Sequence, residues 1–220
     1  MDDPSLSVDD LVPALEGLRR LNRWTSPHAA AWRFLRAGRP PEDRPLRVLD
    51  IATGSGDFPR TVARLAERDG IPVDITAIDR NPNVIEEARR LTSPDLPIRF
   101  LEGDATDLRV DLPTFDVVSV HLFLHHLTDE EAGALLGRLT SARRGIVCDL
   151  VRGFVPYAST RLVTRFASRS WVVATDGPLS VRAGFRRAEL LRLARDAALP
   201  SMRLRRRFPF RWMLTWGDES

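Results

Sequence analysis

Residues 47–59 read RVLDIATGSGDFP, and this stretch decides the fold. Apolar Val48, Leu49 and Ile51 run into a tight Gly54-Ser55-Gly56 turn, and a helix-compatible segment follows from Arg60 to Arg68. Strand, glycine loop and helix in that order bring backbone N–H groups close to a nucleotide-like ligand. An acid, Asp50, sits at the strand end, four residues before the first loop glycine.

Two ligands compete for such a loop. A dinucleotide site calls for a third small residue three positions after the second glycine, where helix and strand pack closely. Here that position is Pro59. A pyrophosphate is also repelled by an acid such as Asp50. S-adenosylmethionine carries a sulfonium and an ammonium and no phosphate, so acidic neighbours attract it. Asp50 and the missing third glycine favour S-adenosylmethionine over NAD.

Downstream strands carry matching acids. The β-branched run from Val73 to Ile78 ends in Asp79, placed to accept ribose hydroxyls. A third run, Ile98 to Leu101, precedes Glu102-Gly103-Asp104-Ala105, and a fourth, Phe115 to Val120, leads into HLFLHHL at 121–127. With these pieces the chain resembles the class I S-adenosylmethionine-dependent methyltransferases. The matching segments are VLDIATGSGD (48–57), ITAIDRNP (75–82), LEGDATDL (101–108) and FDVVSVHLFLHHL (115–127). The resemblance covers about residues 45–150. It implies that Asp50, Ala52, Thr53, Gly54 and Gly56 line the methionine end of the cofactor. It places Asp79 and Arg80 at the ribose, Asp104 and Ala105 at the adenine, and His121 beside the methyl group. Ala52 stands where many members have glycine.

From residue 45 onward strand and helix alternate: strands 47–51, 73–78, 98–102, 115–120 and 145–150, helices 58–68, 82–91 and 129–142. Right-handed crossovers then give a doubly wound parallel sheet. Leu11 to Leu21 and Ala29 to Leu35 have helical spacing and form an expected N-terminal helical lid over residues 1–44. After Asp149 the pattern changes. Tyr157 to Ser168 reads as a helix, Trp171 to Gly184 as a Gly/Pro-containing connection, and Arg187 to Ala198 as an amphipathic helix. Met202–Arg207 and Phe210–Trp216 read as a closing hairpin. The family resemblance implies the same, with one reversed strand in a seven-stranded, Rossmann-like, mostly parallel sheet. A single domain results, with a cofactor-binding core at 45–150 and a substrate roof, helix and hairpin at 151–220.

Composition narrows the classes. Of 220 residues, 43% are hydrophobic and 29% charged, ordinary for a globular chain. No apolar run approaches the roughly 20 residues that span a bilayer. The acidic N-terminus, MDDPSLSVDD, is not a signal peptide, and one cysteine, Cys148, excludes a disulfide framework, so a cytoplasmic protein is expected. All 33 basic residues are arginine, which raises the pI to about 10.2 at a net charge of only +3. That net charge does not call for nucleic acid.

Three of the four histidines, His121, His125 and His126, lie within six residues. Methyl transfer to a hydroxyl needs its proton removed, and histidine does this at neutral pH. His121 or His125 is therefore a candidate general base, against a reading as pocket-shaping and packing residues. A zinc site is disfavoured because no cysteine accompanies them. Asp149, at the end of the fifth strand, is a second base candidate, and Arg152 beyond it a candidate anchor for a substrate carboxylate, against a plain internal ion pair between the two. Arg203 to Arg207 is the densest basic run. Strand alternation splits it between two faces, so solvated edge residues are expected, with anion or peripheral membrane contact next and RNA last.

The expected function is methylation of a small molecule. The apolar segment with Phe154, Tyr157, Phe166, Trp171 and Val172 suits a roof over an aromatic or acyl acceptor. DLVRG (149–153) and DGPLSVRAGFRRAELLRLA (176–194) resemble methyltransferases of bacterial polyketide-type pathways and, more distantly, of quinone biosynthesis. O-methylation of a phenolic, polyketide or lipid-like acceptor leads, with C-methylation of a quinone-type ring as alternative. Methylation of RNA or protein is weaker, because no Asn/Asp-Pro-Pro-Tyr/Phe motif follows the fourth strand.

Overall fold

A computed structural model of the chain describes Gly17 and residues 27–40, 44–108, 111–167 and 171–217, without the side chains of 163, 165–167 and 171–176. Apart from Gly17, the expected helix at Leu11–Leu21 lies outside the described residues.

Seven strands form one sheet in the order β3-β2-β1-β4-β5-β7-β6. They are β1 (Leu46–Ile51), β2 (Val73–Asp79), β3 (Ile98–Glu102), β4 (Val117–His121), β5 (Gly145–Leu150), β6 (Arg203–Arg207) and β7 (Arg211–Trp216). All neighbouring pairs from β3 to β5 are parallel, and only β7 is reversed, antiparallel to both β5 and β6. Strand order reverses beside β1, between β2 and β4, so the crevice at their carboxyl ends is the expected ligand site.

Helices α1 (His28–Arg36) and α2 (Asp57–Arg68) cover one face of the sheet. Ala31, Trp32, Leu35, Phe58 and Val62 pack there on Leu46, Val48, Val117, Ile146 and Met213. Trp32 also donates its indole N–H to Asp69 at 2.7 Å, tying α1 to the end of α2. Helix α3 (Pro82–Arg90) sets Ile85 and Ala88 on Ala77 and Phe100. It starts at an Asn81 cap, whose side chain accepts from Asn83 N–H, with Pro82 in the first turn. The opposite face is covered by α4 (Asp129–Leu139) and α7 (Arg187–Asp196), through Leu135, Leu136, Leu190 and Leu193 on Leu49, Val118, Val147 and Leu214. A Thr128–Glu131 capping box fixes the start of α4.

Three expectations shift. The fourth strand begins at Val117 rather than Phe115, because Phe115 N–H closes a turn on Leu112 O. The helix expected at 157–168 begins earlier, as α5 (Phe154–Ala167). Trp171–Gly184 is no irregular connection. Residues Trp171–Ala183 form helix α6, with Pro178 inside it. Pairing with α5 outweighs the helix-breaking tendency of Gly177 and Pro178. A Cβ at Gly177 would lie 3.1 Å from Thr164 Cγ2, so glycine lets the two helices approach. This helical hairpin leaves and rejoins the sheet at one seam. Arg152 N–H donates to Phe185 O at 2.9 Å, and Phe185 N–H to Leu150 O at 3.0 Å.

Candidate active site

The β1 loop is a chain of unusual backbone conformations. Ala52, Gly54 and Gly56 all have positive φ, at 54°, 56° and 78°. Gly56 caps α2, and a Cβ there would strike the Phe100 ring at 2.9 Å. At Gly54 a Cβ would meet nothing within 4 Å, so the loop borders open space. Arg60 holds the turn from below, with Nη1 donating to Ser55 O and Nη2 to Asp57 Oδ1, both at 2.6 Å. Nothing in the local pattern assigned Arg60 this role. Its signal is a cation one turn into a helix whose first turn otherwise packs into the core.

Asp79 secures the loop to β2. Its carboxylate accepts from Gly54 N–H at 2.9 Å and Asn81 N–H at 3.1 Å. Asp104 accepts the N–H and hydroxyl of Thr106, both at 2.7 Å and both on Oδ1. These two bonds hold its carboxyl below the ordinary range. Arg80 is exposed nearby, and Ala105 is buried beneath the turn that Asp104 caps.

Asp50 is buried in the sheet, where Ser119 Oγ donates to it at 2.8 Å. Burial pushes its carboxyl up to about 7, the Thr53 and Ser119 hydroxyls pull it back, and Asp79 adds repulsion. A carboxylate so poorly solvated gains most from an approaching cation.

Beyond it stands an aromatic wall. His121, at the end of β4, stacks on Phe58 with centroids 3.7 Å apart, and His28 of α1 meets both edge-on at 6.5 and 5.6 Å. His121 Nε2 is buried without a hydrogen-bond partner. Burial drives the imidazole down to about 3, with His28 adding to the fall and Asp149 opposing it. The ring is therefore neutral. Phe58 and His28 were not singled out from sequence, since only the fold brings α1 and α2 onto β4. Leu122 follows in a left-handed conformation, φ 54°, which turns the chain away from the sheet.

That turn creates a second centre. His125 and Asp149 are bonded, Nδ1 to Oδ1, at 2.6 Å. Both side chains are nearly sealed, at 4% and 0% exposure. Asp149 Oδ1 also accepts Leu150 N–H at 2.6 Å, and Oδ2 accepts His125 N–H at 3.3 Å. Burial alone would raise the Asp149 carboxyl. The His125 ring and the two N–H donors outweigh it, and the carboxyl stays below its ordinary value. Helix α6 packs over this turn. The anticipated Asp149–Arg152 pair does not form, because Arg152 is bonded to Glu189 instead. His121 and Asp149 belong to opposite faces of the sheet, since His121 is in register with Cys148, the residue before Asp149.

The first centre fits S-adenosylmethionine. It offers open space over Gly54, one buried acid for the cation, carboxylates at the end of β2 and after β3, and a neutral aromatic wall. Among the described residues no helix is long and apolar enough to cross a membrane, and no group of three or more His, Cys, Asp or Glu is placed to hold a metal ion.

Comparison with known proteins agrees. Residues 48–144 match the family model described as a methyltransferase domain. The demethylmenaquinone methyltransferase of Deinococcus radiodurans is 36% identical over 103 residues, which cover 46% of this chain and 41% of that protein. The indolepyruvate C-methyltransferase of Streptomyces griseus is 33% identical over 112 residues, covering 48% and 33%. The chain thus spans about a third to two fifths of the length of these curated relatives. Among solved structures, a SAM-dependent methyltransferase from Aquifex aeolicus superimposes with a TM-score of 0.65 at 17% identity, over 98% of both chains. That likeness establishes the shared fold.

Proposed function

We propose that this chain is a class I S-adenosylmethionine-dependent methyltransferase, a reading supported by the family match, the curated relatives and the shared fold, and that it methylates a small acceptor activated by the Asp149–His125 pair. The observation that carries this reading is the 2.6 Å contact between His125 Nδ1 and Asp149 Oδ1 at the carboxyl end of β5. Asp149 takes Nδ1, so Nε2 is the nitrogen left for an acceptor proton. A carboxylate on the far side of an imidazole fixes its tautomer and stabilises the imidazolium once the proton arrives.

The cofactor, when bound, supplies the methyl group on a sulfonium. Asp50 would offset its positive charge, Asp79 and Arg80 would hold the ribose, and Asp104 and Ala105 the adenine. The loop from Ala52 through Thr53 and Gly54 to Gly56 would take the methionine end. His121 and Phe58 would form a dry wall beside the methyl group. At a pKa of about 3 His121 is a weak base, which leaves deprotonation to His125. His125 Nε2 would take the proton of the acceptor hydroxyl, leaving the oxygen nucleophilic toward the methyl group that the cofactor would supply. Helices α5 and α6 are the roof that keeps water from the reacting atoms.

We favour an O–H acceptor of phenolic or polyketide-like character, whose acidity suits a histidine base. C-methylation is the second reading, favoured by the name of the Streptomyces relative. An acidic C–H flanked by carbonyls would use the same base. The test is a methyl-transfer screen with phenols, quinols and 2-oxo acids, read by mass spectrometry, beside calorimetry with S-adenosylmethionine and NAD. Binding of NAD without S-adenosylmethionine would sink the reading.

A further inference from the structure

The hairpin of α5 and α6 turns apolar side chains to the outside. Six large apolar side chains stand exposed among the described residues, and four of them, Phe154, Val155, Leu162 and Leu179, belong to this hairpin. Phe154, one of the residues expected to roof the acceptor, is 83% exposed. On α5 the exposed residues form one face. Phe154, Val155, Ala158, Arg161 and Leu162 follow adjacent rows of helical spacing. Thr160 and Thr164 lie on the other side, where their methyl groups border Gly177 of α6. Helix α6 in turn packs over the turn that holds His125. The exposed face of α5 is therefore turned away from the helix that covers that turn. On α6, Leu179, Arg182 and Ala183 form a second exposed stripe at i, i+3 and i+4.

The charge of the hairpin is mostly of one sign. Residues 153–184 hold four arginines, Arg161, Arg165, Arg169 and Arg182, against one acid, Asp176. That net charge of +3 equals the net charge of the whole chain, so the remainder is neutral. Arg161 and Arg182 are exposed within the two apolar stripes. Among the described residues the α5 face carries no neutral hydrogen-bonding side chain, because Ser159, Thr160 and Thr164 are half-buried or buried. An apolar face set with arginines suits an anionic lipid surface. The apolar side chains enter the headgroup boundary, the arginine stems lie along them, and the guanidinium groups pair with phosphates. A second copy of the chain would set arginine against arginine, and a protein partner would call for hydrogen-bonding groups that this face lacks. Among the described residues no helix is long and apolar enough to cross a membrane, so the contact is one of lying on the surface.

We propose that the outer face of the α5–α6 hairpin docks on an anionic lipid bilayer. Phe154, Val155, Leu162 and Leu179 sit at headgroup level, and Arg161 and Arg182 meet lipid phosphates. The proposal stands apart from the methyltransferase reading and holds or fails on this surface alone. Docking would bring the proposed roof, and the turn beneath it, to a reservoir of lipid-like molecules.

The test is sedimentation of the full chain with vesicles of phosphatidylcholine alone and of phosphatidylcholine mixed with phosphatidylglycerol. The chain is expected to bind the mixed vesicles about tenfold more tightly than phosphatidylcholine, and to release them as salt is raised. Arg161→Gln combined with Arg182→Gln is expected to weaken binding to the mixed vesicles by about tenfold, and Phe154→Ser combined with Leu162→Ser to weaken it as much. All four positions are exposed, so circular dichroism and the melting temperature are expected to stay those of the parent chain. Phe208, 91% exposed between β6 and β7, is the rival surface, and Phe208→Ser is expected to leave binding unchanged. The proposal is overturned if the mixed vesicles are not bound, if binding survives both double variants, or if only Phe208→Ser removes it. Self-association in sedimentation velocity that Phe154→Ser with Leu162→Ser abolishes would assign the face to a second copy and overturn it too.

Discussion

The two halves of the sheet build their sites differently. Around β1, β2 and β3 each site residue lies in or just after a strand and is held largely by backbone donors or near neighbours. Asp79 takes Gly54 N–H and Asn81 N–H, and Asp104 takes both donors of Thr106. Around β4 and β5 the contacts run between side chains: His125 Nδ1 is bonded to Asp149 Oδ1, and the His28 ring of α1 meets His121 edge-on. On the proposed function the first is the cofactor half, held largely by backbone N–H donors, and the second is the acceptor half, held by side-chain contacts. One therefore bears on binding and the other on turnover, a division that substitutions can test.

The largest effect is expected in the acceptor half. Asp149→Asn should lower the rate of methyl transfer by about 10²–10⁴-fold, the usual worth of a positioned general base. His125→Gln should match it, and the double variant should be no worse, because the pair acts as a unit. Single-turnover kinetics beside calorimetry check this. An equal loss of cofactor affinity would erase the division between the halves.

Next comes Asp50, whose carboxyl sits at about 7 in the fold against 3.8 ordinarily. Between these values the folded chain holds a proton that the unfolded chain has released. The contribution to stability is full below about pH 4 and is lost as pH rises through about 7. At ~1.4 kcal/mol per unit it amounts to at most about 4 kcal/mol. Melting of the cofactor-free protein should fall between pH 5 and pH 8, and S-adenosylmethionine should reverse the fall by favouring the ionised carboxylate. Asp50→Asn should flatten the profile; a slope unchanged by that substitution would assign the titration elsewhere.

Asp79→Ala comes third. It leaves the N–H groups of Gly54 and Asn81 unpaired and should weaken S-adenosylmethionine by about 2–3 kcal/mol, some 30- to 150-fold. Titration calorimetry measures it, and an unchanged affinity would move the ribose elsewhere. The smallest change is Ala52→Gly. Alanine in a left-handed conformation is strained by about 1–2 kcal/mol, and glycine returns part of that gain through its freer unfolded chain. Thermal melting should show a stabilisation of up to about 1 kcal/mol; a loss would mean that the loop conformation differs.

The same contrast explains what was legible in sequence. The glycine loop, the acids after it and the alternation of strand and helix announce themselves through spacing over a few residues. Even there the left-handed Ala52 and the brace supplied by Arg60 needed coordinates, because φ and burial leave no local trace. In the acceptor half, His125 and Asp149 could be singled out separately but not joined. Asp149 and Arg152, close in sequence, were natural partners, yet β5 ends between them and sends one to His125 and the other to Glu189. Helix α6 was hidden because Gly177 and Pro178 read as breakers, and the contact with α5 that overrides them is tertiary.

The seam beneath the roof has a consequence for engineering and divergence. Residues 153–184 depart from and return to a single point, where Leu150 and Arg152 are bonded to Phe185. An excursion whose two ends are already joined can be replaced by another of different length without altering the strand register on either side. If helices α5 and α6 roof the acceptor as proposed, acceptor choice can be rewritten as an interchangeable cassette, while the frame on the other side of the seam stays as it is.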